Sequence, residues 1–132
     1  MKNREDRAVV RSAYGRHGFA HHQLDVYHVS YEMLLRVQQL TEPIPRGYRN
    51  FADRLLRAAG ATVALIGEGS YRFTKGQKRQ RFSEARGEAG EVAVHAEALI
   101  GMKAIPAQPA EEVIELASRV CAMLTRLIKC HS

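Results

Sequence analysis

The sequence predicts an all-α fold, an antiparallel up-and-down four-helix bundle. Three observations predict it. Apolar residues between Leu24 and Cys130 recur at alternating steps of three and four, the spacing of one face of a helix. The four stretches with this spacing are separated by short segments rich in Pro or Gly. A chain of 132 residues, 45% hydrophobic and 26% charged, suits one such domain and is short for two.

The first helix is expected from about Gln23 to Leu40, with a stripe of Leu24, Tyr27, Tyr31 and Leu34 flanked by Leu35 and Val37. Pro43 and Pro45 stop it. The second starts near Arg46 or Gly47, carries Phe51, Leu55, Ala58, Thr62 and Leu65, and is expected to end at Gly67-Glu68-Gly69-Ser70. Leu56, Ala59, Val63 and Ile66 widen its stripe. Thr74 with Gln77 three residues on forms a capping box for the third helix. Its seam is Phe82, Ala85, Ala89, Val92, Ala96 and Leu99, and Gly101 ends it. A loop over Ala104 to Gln108 precedes the fourth helix. There Pro109, Glu111 and Glu112 suit an N-terminal turn and Val113, Leu116, Val120, Met123/Leu124 and Leu127 form the stripe. Gly60, Gly87 and Gly90 lie inside helices, where glycine costs up to about 1 kcal/mol against alanine, so close helix approach is expected in return.

Residues 1–22 read as a basic tail, holding Lys2, Arg4, Arg7, Arg11 and Arg16 against Glu5 and Asp6, and residues 23–132 as the bundle. The tail has no apolar signal core, and no apolar run approaches the roughly 18–20 residues of a membrane span, so a cytoplasmic protein without membrane partners is expected. Cys121 and Cys130, nine apart on one helix, point to opposite faces and cannot pair there, which leaves a core thiol and a helix-end thiol.

The formal net charge is +6, and much of the excess lies in the tail and in residues 72–86. That second segment supplies the candidate anion-binding residues Arg72, Lys75, Lys78, Arg79, Arg81 and Arg86, against Glu84 alone. They fall across the turn between helices 2 and 3 and the first turns of helix 3, whose free N–H groups and dipole also favour an anion. Tyr71 and Phe73 are beside them, available to stack on bases, with packing over the end of the bundle as the alternative for Phe73. Two partner classes follow: RNA or single-stranded DNA, or a protein, with the basic residues serving only solubility in a scaffold.

No Ser-His-Asp order, phosphate-binding glycine loop or paired Cys-x-x-Cys occurs, so neither a catalytic residue nor a cofactor is expected and the chain reads as non-enzymatic. His17, His21, Asp25 and His28 would share one helix face if the first helix began at Arg16, giving either a metal-ligand set or a solvated histidine-rich tail. His95 reads as a partly buried packing residue, and Arg57 and Glu91 as an ion pair across the helix 2–3 hairpin.

The stretch Arg57-Ala58-Ala59, Ile66-Gly67-Glu68-Gly69-Ser70 and Arg72, followed by Phe82 and Ala85-Arg86-Gly87-Glu88-Ala89-Gly90-Glu91-Val92, resembles the four-helix-bundle proteins encoded by intervening sequences in bacterial 23S ribosomal RNA genes. Leu24-Asp25-Val26-Tyr27 resembles the opening of that family's first helix, and the likeness spans about residues 19–130. Leu65 and Gly67 stand where the family has Asn and Ala, and Glu88 stands at its usual Ser. The resemblance implies a homo-oligomeric ring of about five subunits and a distant relation to the nucleic-acid-binding accessory proteins of diversity-generating retroelements. It implies no reaction. Glu68 and Gly69 are the retained pair of the family's interhelical turn, where Glu68 is expected to accept hydrogen bonds from turn N–H groups or from Arg72.

Overall fold

Over residues 18–132, which the computed structural model describes, the chain forms four α-helices and no strand. They are α1 (Asp25–Thr41), α2 (Arg49–Tyr71), α3 (Lys75–Gly101) and α4 (Ala107–Cys130), with 3-10 turns at Ala20–Gln23 and Arg46–Tyr48. Short connections make consecutive helices antiparallel. Each packs on its neighbours in sequence, and α1 closes on α4. Most of the expected tail, residues 1–17, lies outside the described residues.

The seam of α3 is as the spacing predicts: Phe82, Ala85, Ala89, Val92, Ala96 and Leu99 are all buried. The α4 stripe holds too, with Val113, Leu116, Val120 and Leu124 buried and Met123 and Leu127 packed at its margin. The α1 seam is rotated by one residue from the expected one. Val26, Val29, Met33, Val37 and Leu40 form it, while Tyr27 and Tyr31 stack on each other beside it. α1 carries apolar residues in both registers, and the register that buries aliphatic side chains keeps both phenol rings at the margin. Phe51 likewise lies outside the α2 seam, 38% exposed, with the Arg54 guanidinium 6.0 Å from its ring centre. Ala52, Leu55, Ala58, Ala59, Thr62 and Ile66 make that seam, and the Thr62 hydroxyl donates to the Ala58 carbonyl.

The helix ends follow local chemistry. Thr74 Oγ1 accepts from the Gln77 N–H at 3.1 Å and Gln77 Oε1 from the Thr74 N–H at 3.5 Å, completing the expected capping box. Gly101 is the last residue of α3, and Lys103, with φ 58°, takes the left-handed position that turns the chain. α4 begins two residues before Pro109, so Glu111 and Glu112 fall in its second turn, and Glu112 instead meets Arg36 at 2.6 Å.

Two expectations about glycine are corrected. α2 does not stop at Gly67; it runs through Glu68, Gly69 and Ser70 to Tyr71, and Arg72–Thr74 make the turn. Gly69 is needed there because a Cβ on it would stand 2.5 Å from Phe82 Cε1. The helix thus tolerates glycine to let the buried Phe82 ring lie against its backbone. Gly60, Gly87 and Gly90 show no such approach, and a Cβ on any of them would meet nothing from another helix among the described residues within 4 Å.

Candidate nucleic-acid interface

The up-and-down topology gathers the C-terminal ends of α2 and α4 and the N-terminal ends of α1 and α3 at one end of the bundle. The segment from Arg72 to Arg86 starts there. So does the described chain itself, because Gly18 precedes the 3-10 turn that packs on α2.

The six candidate residues divide into two kinds. Four are held by the bundle. Lys78 Nζ donates to the carbonyls of Gly69 at 3.3 Å and Ser70 at 3.2 Å, closing the C-terminus of α2. Arg79 donates to the His131 carbonyl beyond α4. Arg81 pairs with Glu84 at 2.6 Å and with Glu68 at 3.5 Å. Arg86 Nε donates to Thr125 Oγ1 at 2.8 Å, tying α3 to α4. Arg72 and Lys75 are exposed and have no side-chain partner among the described residues. The backbone N–H groups of Lys75 and Gly76 open α3 with no intrahelical acceptor. Phe73, between the two free cations, is 97% exposed and does not pack over the bundle.

Tyr71 is committed differently. Its hydroxyl accepts from the Ala20 N–H and lies 3.2 Å from His21 Nδ1. His21 stands edge-on to Tyr27 at 4.7 Å, and the His21 and His22 rings lie 4.3 Å apart. Below them His28, buried, has Nε2 2.9 Å from the His22 carbonyl oxygen. Burial holds the His21 imidazole below its ordinary pKa, and the neighbouring His22 and His28 add to the effect. The expected boundary at Gln23 is therefore late: His22 is buried and the chain joins the folded unit by Ala20.

Between this aromatic cluster and α2 runs an open groove of about 510 Å³. Val63, Ala64 and Gly67 form its floor, Tyr27, Tyr71 and His21 its walls, and Glu68 and Arg72 its rim. Sequence reasoning missed it because its two sides lie about forty residues apart and share no local pattern. Tyr71 was the available signal, an amphipathic ring outside the expected stripe of its helix, whereas the spacing assigns Tyr27 to the seam of the first.

Other expectations resolve plainly. Glu68 and Gly69 are helical, and Glu68 faces Arg81 across the hairpin instead of capping a turn or meeting Arg72. Arg57 and Glu91 are both exposed and form no ion pair with each other. Glu91 neighbours Glu88, whose carboxyl is pushed above its ordinary pKa by burial first and by Glu91 second, with His95 opposing. His95 is half-buried. The proposed metal-ligand face fails among the described residues, where no group of three His, Cys, Asp or Glu side chains converges; His17 lies outside them. α1 begins at Asp25, so His21 belongs to a preceding turn and not to a shared helix face. Cys121 is half-buried, its thiol 3.6 Å from the Arg86 carbonyl and pushed up in pKa by burial, while Cys130 is exposed; both are free. No helix among the described residues is long and apolar enough to cross a membrane.

Fold and site together define a small all-α bundle with a cationic, aromatic end and no assembled catalytic group among the described residues. The family model for 23S rRNA-intervening sequence proteins matches residues 22–126, and the chain belongs to that family. No curated protein matches it.

Proposed function

We propose that this protein is a non-enzymatic, cytoplasmic accessory module that binds single-stranded nucleic acid, RNA first, through the basic end of its bundle. One observation carries the reading. Arg72, Phe73 and Lys75, which flank the capping residue Thr74, are all exposed and set a cation, an aromatic ring and a cation at the N-terminus of α3. Cations neutralise phosphates, an exposed ring stacks on bases, and the open N–H groups of a helix start accept anions. In the scaffold reading a protein partner would instead cover this phenylalanine, which is 97% exposed. Assembly into a ring of about five subunits, which would repeat this edge on one face, belongs to the same proposal, as does kinship with the accessory proteins of diversity-generating retroelements.

The division of the six cations chooses the variants. Reversing Lys78 or Arg79 would unfasten the ends of α2 or α4 and confound binding with stability. Reversing Arg72 and Lys75 together removes no side-chain hydrogen bond or ion pair among the described residues. In fluorescence polarisation with a labelled single-stranded RNA at low salt, the wild type is expected to bind at micromolar concentration. Arg72→Glu with Lys75→Glu is expected to lose at least about tenfold, as two lost phosphate contacts require. No binding by the wild type at tens of micromolar, or equal binding by the variant, leaves the protein–protein scaffold as the better reading.

A further inference from the structure

The groove beside Tyr71 has a construction that phosphate binding alone does not explain. It is an open depression of about 510 Å³, lined mainly by apolar and aromatic side chains. Its walls are fixed before any ligand arrives. The Tyr71 hydroxyl is held by the Ala20 N–H and by His21, and the Tyr27 ring is set against His21. Its floor is apolar and is left open at Gly67, where a Cβ would meet nothing from another element among the described residues within 4 Å. The rim carries one charge of each sign: Glu68 lies 3.5 Å from Arg81, which it shares with Glu84, and Arg72 is the cation with no side-chain partner among the described residues.

We propose that this groove receives one nucleobase of a bound single strand, flat against the aromatic wall, with the adjoining phosphate on Arg72. The proposal rests on the nucleic-acid reading above and adds a base site to it. The occupant follows from complementarity. A planar, weakly polar ring with a negative charge a few ångströms away matches an apolar floor, aromatic walls and the Arg72 cation at the rim. The strand then runs past Phe73 to Lys75 without changing direction, because the groove rim and the exposed edge share Arg72. Gly67 is the specificity element: a Cβ there meets no described atom within 4 Å, and a longer side chain would extend from it into the space the base would fill.

The test is fluorescence polarisation with two strands of equal length and charge, a labelled oligoadenylate and the same backbone carrying abasic residues. The full chain and Gly67→Leu are compared at one low salt concentration. The wild type is expected to prefer the base-bearing strand by at least about fivefold, the value of one stacked base. Gly67→Leu is expected to reduce that preference to what the exposed Phe73 ring alone supplies, while binding the abasic strand as the wild type does. Gly67→Ala, which adds only the Cβ, is expected to lose part of the preference, and it replaces the leucine variant should that one melt at lower temperature. The base site is overturned if the wild type binds both strands equally, if Gly67→Leu keeps the preference undiminished, or if Gly67→Leu changes the mass in solution, since the groove would then be a contact between copies. Failure of the wild type to bind either strand overturns the nucleic-acid reading itself, and the base site with it.

Discussion

Gly67 and Gly69, two residues apart on α2, are expected to respond to the same substitution with opposite signs. Alanine gains up to about 1 kcal/mol over glycine in a helix, so Gly67→Ala, whose Cβ enters open space, should stabilise the fold by roughly that amount. Gly69→Ala gains the same propensity but puts a Cβ 2.5 Å from Phe82 Cε1 and 2.9 Å from Cδ1. Real Cβ contacts do not approach so closely. Phe82 is 1% exposed in a packed seam, so its ring cannot swing away freely. Overpacking of this kind costs about 1–3 kcal/mol. The propensity term cancels between the two variants, so their stabilities should differ by the clash alone, about 1–3 kcal/mol, or roughly 4–12 °C in melting temperature for a domain of this size. Thermal unfolding followed by circular dichroism measures the difference directly. Equal melting temperatures would refute the close packing of Phe82 on the α2 backbone, and with it the reason α2 carries a glycine at position 69.

Further predictions concern titration and thiols. His21 is neutral at pH 7, and its pKa is lower folded than unfolded, so the unfolded chain takes up the proton first. Stability is therefore full above about pH 6.5 and falls as the pH drops below it, until folded His21 is protonated as well. His21→Gln should lack this share of the acid destabilisation; melting curves at pH 7.5 and 5.5 that shift alike for both proteins would contradict the account. Cys130 is exposed, whereas burial raises the Cys121 pKa, so a thiol reagent should label one cysteine per chain at least about ten times faster than the second. A single fast phase of two thiols would show that α4 does not pack as described.

The bundle was legible because helix periodicity and end chemistry act locally. The α3 seam from Phe82 to Leu99 and the Thr74–Gln77 capping box each sit within one helix, and both stand in the structure. What sequence could not supply was decided between helices. Tyr27 and Val26 offer competing seams, and only packing against α2 and α4 chooses the second. The glycines of α2 look alike in sequence, yet one carries a close approach and the others face open space, a distinction made by Phe82 on another helix. The basic segment was visible as composition, but the commitment of Lys78, Arg79, Arg81 and Arg86 to carbonyls, a hydroxyl and carboxylates depends on partners up to 52 residues away. The groove was invisible for the same reason, its two sides meeting only when α1 closes on α2.

The central claim, that Arg72 and Lys75 neutralise phosphates, is tested most directly by the salt dependence of binding. On single strands each neutralised phosphate contributes a slope of about −0.7 to the log–log plot of affinity against salt. Polarisation titrations with single-stranded RNA from 50 to 200 mM salt, comparing the wild type with Arg72→Glu and Lys75→Glu combined, should show a slope shallower by about 1.4 in the variant, two contacts' worth. Identical slopes in the two proteins would contradict the account.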